Sequence, residues 1–136
     1  MAIDPGLTTG LAIATSAGWL IAEVGDLQDV WKVLWAYKPK VILFERFNPQ
    51  ELPVDLSALE VQGIVKLYQL MAKVHPAIWW QPRDVKNLCS DDFLRANSLW
   101  VKGMGHGRDA IRHLCWHLIK REGNTELLEW TKPEGS

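Results

Sequence analysis

The sequence predicts an α/β fold: a mixed five-stranded sheet, three antiparallel strands and then parallel ones, flanked by helices. Three observations predict it. Short apolar runs split by turn residues fill the first 24 positions, helically spaced segments then alternate with apolar runs as far as Gln81, and the last patterned segment is an amphipathic helix. A meander followed by crossovers, βββαβαβα, gives such a sheet, because antiparallel neighbours need only tight links whereas parallel neighbours need a crossover.

Ala2 to Asp4 reads as a strand, Pro5-Gly6-Leu7-Thr8-Thr9-Gly10 as turn chemistry, and Leu11 to Thr15 as a second strand. Ser16-Ala17-Gly18 breaks that strand and Trp19 to Val24 makes the third. Asp29 to Tyr37 carries Val30, Leu34 and two tryptophans at helical spacing, with Asp26 or Asp29 as cap and Lys38-Pro39 as stop. Val41 to Phe44, continuously apolar, suits a buried strand parallel to the first.

Pro53 to Val74 is expected to be the longest helix, with Ser57-Ala58-Leu59-Glu60 spaced as a capping box and Asp55 as the alternative cap. Gly63 inside it costs roughly 1 kcal/mol relative to alanine, which favours close approach to the sheet or to a partner helix. Ala77 to Gln81 is the fifth strand. Pro82 opens a short helix through Leu88, Ser90 or Asp91 caps another toward Trp100, and His106 to Arg121 is the last helix, stopped by Gly123-Asn124.

A chain of 136 residues has room for one core. That domain is expected over residues 1–123, followed by an acidic, flexible tail over 124–136. No run is long enough to span a membrane and no signal-peptide pattern opens the chain, so a cytoplasmic protein is expected. Cys89 and Cys115 have no metal-pair spacing and are expected to be reduced and buried.

The net charge of −1 hides an asymmetry: residues 66–121 carry +6, residues 1–65 carry −4, and residues 122–136 carry −3. A basic half facing an acidic half suits a phosphate-binding rim around carboxylates, and it also suits an ordinary solvated surface. Of the eight tryptophans, Trp31 and Trp35 would share a helix face, while Trp79 and Trp80 would point to opposite faces of a strand. Most are expected in the core, with base stacking open to one of them.

Asp4 and Glu45 each close an apolar run. In this strand order the two runs are parallel neighbours, so both carboxylates would meet at one sheet edge and share a cation. Two Mg²⁺ ions about 4 Å apart neutralise a scissile phosphate, activate water and stabilise the leaving oxygen, and hard oxygen ligands suit them. Asp4 before Pro-Gly also reads as a turn residue, but a glutamate directly after Val41-Ile42-Leu43-Phe44 is costly unless paired or solvated. His106 and Asp109, three apart at the start of the last helix, would complete the cluster, or serve that helix as cap neighbour and first-turn acid. His113 and His117 extend the stripe as core or partner-facing residues, and no thiol spacing supports zinc.

Four segments carry a resemblance: Ile3-Asp4-Pro5-Gly6-Leu7-Thr8-Thr9-Gly10-Leu11-Ala12, Phe44-Glu45-Arg46-Phe47, Pro82-Arg83-Asp84-Val85-Lys86, and His106-Gly107-Arg108-Asp109-Ala110 with His117. The order of elements resembles RNase H-like folds, and the four segments resemble the RuvC family of Holliday-junction resolvases, especially its shorter phage-type members. The resemblance implies a Mg²⁺- or Mn²⁺-dependent homodimeric endonuclease that cuts two opposed strands of a four-way DNA junction, leaving 5′-phosphate ends. It implies Asp4, Glu45, His106 and Asp109 as catalytic, metal-binding residues and Lys86 as a basic residue near the phosphate. Phe47 is implied as a wedge at the crossover, with packing at a loop base as the alternative. Arg46, Lys66, Arg83, Lys102 and Arg108 are further candidates for backbone contacts, which set position and salt dependence. Arg95 and Lys102 stand in for the family's second basic loop.

Other readings remain from the residues alone. A YqgF-like nuclease acting on RNA shares the opening motif, although the His-x-x-Asp-Ala helix fits RuvC better. An actin or sugar-kinase type nucleotide-binding domain would need a second lobe for which 136 residues leave no room. A non-catalytic interaction module could keep the same fold.

Overall fold

The structure, a computed structural model, describes residues 1–16, 18–45, 56–73, 75–82, 87 and 89–123. Its five strands are β1 (Ala2–Asp4), β2 (Thr9–Thr15), β3 (Gly18–Val24), β4 (Val41–Glu45) and β5 (Ala77–Gln81). They form one sheet in the order β3-β2-β1-β4-β5. The first three pair antiparallel, and β1–β4 and β4–β5 pair parallel, as the element order predicts. Around them lie α1 (Leu27–Tyr37), α2 (Ser57–Met71), α3 (Asp91–Ala96) and α4 (Gly105–Lys120).

Strand alternation sorts each buried strand into two sets of side chains. Ile3, Leu11, Ile13, Ile42 and Phe44 enter one core with Val30 and Leu34 of α1 and Val61, Val65 and Tyr68 of α2. Ala2, Ala12 and Leu43 enter the other with Leu94 of α3 and Ala110, Ile111, Leu114 and Cys115 of α4. Both cysteines are free and buried in this second core. The tryptophans follow their predicted faces. Trp31 and Trp35 pack edge to face on α1, and Trp80 meets Phe44 in the first core while Trp79 is exposed beneath Arg121.

Local capping sets both ends of α1 and the start of α3. Asp26 accepts from the backbone N–H of Gln28 to open α1, which ends where Lys38 turns left-handed at φ 46°. Ser90 accepts from Phe93 N–H to open α3. Three expectations need correction. The helix expected over Pro53–Val74 is described as Ser57–Met71, with Leu56 at its N-cap and, among the described residues, no side-chain cap bond, so the capping box does not close; Asp55, the alternative cap, lies outside them. The longest helix among the described residues is α4, with 16 residues. Gly63 is exposed, and a Cβ built there meets nothing within 4 Å, so the sheet is not its reason. The short helix expected after Pro82 falls largely outside the described residues. Among the described residues no helix is long and apolar enough to cross a membrane.

Candidate active site

Three strand ends build the floor of the site. Asp4 ends β1, Glu45 ends β4 and Gln81 ends β5, with Glu45 and Gln81 in register. Asp4 and Glu45 lie two residues beyond Ala2 and Leu43, which pack against α4, and Gln81 lies two beyond Trp79, which sits under Arg121 at the end of α4. The period of two therefore turns all three side chains toward α4 at the carboxyl edge of the parallel strands. All three are buried, with 6%, 6% and 3% of their surface exposed.

Helix α4 supplies the roof, and small residues let it come close. A Cβ on Gly10 would lie 2.0 Å from the backbone oxygen of His106, so only glycine lets β2 pass under the first turn of α4. Gly107 is nearly as confined, with Ile21 Cγ2 at 2.9 Å from its built Cβ. Met104, the N-cap, offers no side-chain acceptor. Glu23 of β3 does so from across the sheet, its Oε1 accepting from Gly107 N–H at 3.1 Å. A carboxylate at a helix N-terminus satisfies a free donor and the positive end of the helix dipole together. Glu23 thus fixes the turn that carries His106.

The arrangement brings distant residues together. His106 Nδ1 lies 3.0 Å from Asp4 Oδ2. Glu45 is hydrogen-bonded to Asp4, and Asp109 is close enough to act on Asp4 through its charge. Burial pushes the Asp4 carboxyl up to about 7, Glu45 adds to the rise through its hydrogen bond and its charge, His106 opposes it, and Asp109 adds a further push. His113 is buried beneath them, its Nε2 3.2 Å from Glu45 Oε2 and its Nδ1 2.6 Å from Gln81 Oε1. Arg112 ties Asp109 to the neighbouring loop: it donates to Asp109 Oδ1 at 2.9 Å and to the Cys89 carbonyl at 2.9 Å, and it pairs with Asp91. As these side chains stand, no three His, Cys, Asp or Glu residues among those described are gathered to hold a metal ion.

No protein-family model matches the sequence, and no curated protein matches it. Solved structures do. The fold is that of RuvC. Thermus thermophilus RuvC in complex with a Holliday junction substrate superposes with a TM-score of 0.66 at 16% identity, over 90% of this chain and 94% of that one. A second Thermus thermophilus RuvC structure gives 0.61 at 16% identity, over 89% and 94%. At that identity the likeness to RuvC concerns architecture alone.

The basic candidates divide. Arg108 lies on the first turn of α4, donates to the Val101 carbonyl at 2.7 Å and stacks 4.4 Å from the Trp100 ring. Arg95 stacks on the same ring at 4.1 Å, and Lys102 is exposed in the turn before α4. Lys66 sits on α2, across the sheet from α4, with its ammonium 5.7 Å from the Trp80 ring. Arg46, Phe47, Arg83 and Lys86 lie outside the described residues. The sequence reading passed over Gln81, Glu23 and Arg112 and gave His113 only a core or partner-facing role. The one available signal was the spacing of His106, Asp109 and His113, which keeps all three on one face of a helix.

Proposed function

We propose that this chain is a divalent-metal-dependent DNA endonuclease that acts on branched DNA, with the four-way junction as its preferred substrate. The observation that carries the reading is that Asp4 meets both Glu45 and His106, the latter 102 positions away, under the first turn of α4. Two buried, touching carboxylates with no role in the core are costly, because each disfavours the charge of the other. A hard cation reverses that penalty. The donor set of carboxylate oxygens and one imidazole fits Mg²⁺ or Mn²⁺.

Asp4, Glu45, His106 and Asp109 would hold the metal, with two ions as the working number. When bound, such ions supply neutralisation of the phosphate, an activated water and a stabilised leaving oxygen. The protein's own part is to orient the ligands on rigid strand ends and one helix turn and to keep the edge open to a phosphodiester. Arg108 and Lys102, beside that turn, would meet the DNA backbone, as would Arg46, Arg83 and Lys86. Lys66 is less well placed for the cut strand. Phe47 is retained as the crossover wedge.

A homodimer fits an exposed apolar stripe on α2. Leu56, Leu59, Leu67 and Leu70 are exposed at 62%, 42%, 46% and 74%, and with Gly63 they follow the 3-4 spacing of a helix-pairing seam. Gly63 then has its reason as a point of close helix approach. The competing reading, a non-catalytic module, draws on the pairing of Asp109 Oδ1 with Arg112, which satisfies that oxygen without a metal.

The deciding experiment is cleavage of labelled four-way, flap and linear DNA and of matched RNA, each with Mg²⁺, Mn²⁺ or EDTA. Junction DNA should be cut with either ion and left intact in EDTA. Asp4→Asn and Glu45→Gln should each lower single-turnover cleavage about a thousandfold or more while binding persists, since several kcal/mol of charge stabilisation would be lost. Full activity in either variant, or cutting in EDTA, would defeat the reading. Equal cutting of linear duplex would remove only the junction preference, and preferential RNA cleavage would favour the YqgF-like alternative.

A further inference from the structure

We propose that His113, oriented by Gln81, is a positioning residue that holds Glu45 in the geometry needed to receive a metal ion. The proposal rests on the function argued above and concerns residues that function does not use. His113 and Gln81 expose only 1% and 3% of their surface. His113 lies on α4 beside Ala110, Ile111, Leu114 and Cys115 of the second core, where an apolar residue would pack without any hydrogen bond to satisfy. Instead the chain buries two polar side chains in contact, and both contacts run toward one carboxylate.

The hydrogen bonding has a direction. As a carboxylate Glu45 Oε2 accepts, so His113 Nε2 carries the proton that bonds it. In a neutral imidazole Nδ1 is then an acceptor and requires a donor from Gln81. Among the described residues the Gln81 Nε2 amide nitrogen lacks a partner as it stands. Turning that amide by half a revolution points Nε2 at His113 Nδ1 and gives both nitrogens a partner, with the amide oxygen moving to where Nε2 stood. The chain then runs Gln81 N–H to His113, and His113 N–H to Glu45. One carboxylate oxygen is committed to the histidine, and the rotation of the Glu45 side chain is fixed. Because Gln81 and Glu45 are paired neighbours on parallel strands, the far end of the chain is anchored to the same sheet edge as the ligand it orients. Hydrogen-bonded outer partners of this kind typically contribute about tenfold to a hundredfold in metal affinity or activity.

The test measures Mn²⁺ affinity by calorimetry on the full chain without DNA, beside far-UV circular dichroism and thermal unfolding in EDTA. His113→Leu and Gln81→Met, both near the volume they replace, should weaken Mn²⁺ binding about tenfold or more. His113→Gln, whose amide nitrogen can reach where Nε2 stood, should restore most of it, a rescue that a purely space-filling role does not predict. Wild-type affinity in folded His113→Leu, or in Gln81→Met should the leucine variant not fold, overturns the proposal. The two readings fail differently: a wild-type chain that neither binds Mn²⁺ nor cuts junctions removes the function, whereas a wild-type chain that does both, with unaffected variants, removes only the role of His113.

Discussion

The two faces of the sheet do different work with the same strands. Toward α1 and α2 the strands offer Ile3, Ile42 and Phe44, large side chains that fill a conventional core. Toward α4 they offer Ala2, Gly10 and Ala12, and the space so released is taken by a helix lying almost on the backbone. At the carboxyl edge the contrast sharpens, because the residues that continue the α4 face are Asp4, Glu45 and Gln81. One face stores stability, and the other gives some of it up to bring polar groups together. Variants should separate the two.

The largest effect on stability belongs to the first face. Leu34→Ala removes a fully buried side chain and should cost about 2–5 kcal/mol in chemical denaturation. Its Mn²⁺ affinity, measured where the variant remains folded, should stay unchanged, and a large loss would show that the two faces are not separable. Next comes Gly10→Ala on the second face. The obstacle is the backbone oxygen of His106 and cannot rotate away, so α4 must shift, at a cost of about 1–3 kcal/mol or somewhat more. Here metal affinity should fall with stability, because the shifted turn carries His106.

The same contrast decides what could be read from the sequence. Strand β5 was legible residue for residue, since an apolar run between Pro76 and Pro82 leaves little choice. Asp4 and Glu45 were legible because each interrupts an apolar pattern at its end. The start of α2 was not, because Ser57 and Glu60 have capping-box spacing yet the helix begins from Leu56 without a side-chain cap. Gln81 and His113 were hidden for a deeper reason. Each looks like an ordinary polar residue on its own element, and only the parity of three strands under one helix face makes them neighbours. Glu23 was hidden likewise, since it caps a helix 84 positions away.

A subtler effect is pH dependence on the second face. Folded Asp4 holds its proton to about pH 7, against an ordinary value of 3.8. The unfolded chain gives that proton up first, so in EDTA the stability from this group is complete below about pH 4 and drains away as the pH rises to 7. Asp4→Asn should lack this decline and should be the more stable protein at pH 8. The difference between the two unfolding curves across pH isolates the group from every other titration. Mg²⁺ should stabilise the wild type more at pH 8 than at pH 5, because at the lower pH it must first displace a proton. A difference curve flat from pH 4 to 8 would mean that neither burial nor Glu45 raises the Asp4 carboxyl.

The smallest effect tests the outer side of the first face. Gly63→Ala places a methyl in open space on α2, and helix propensity alone would raise the stability of an isolated chain by roughly 1 kcal/mol. On a paired helix the same methyl would push two backbones apart. If the stripe of Leu56, Leu59, Leu67 and Leu70 is a dimer seam, sedimentation should show Gly63→Ala dissociating at higher concentration than wild type, even as each protomer resists denaturant slightly better. Opposite signs for association and protomer stability cannot come from a solvated helix. A wild-type chain whose mass and unfolding midpoint are independent of concentration would leave α2 unpaired and the glycine without a packing reason.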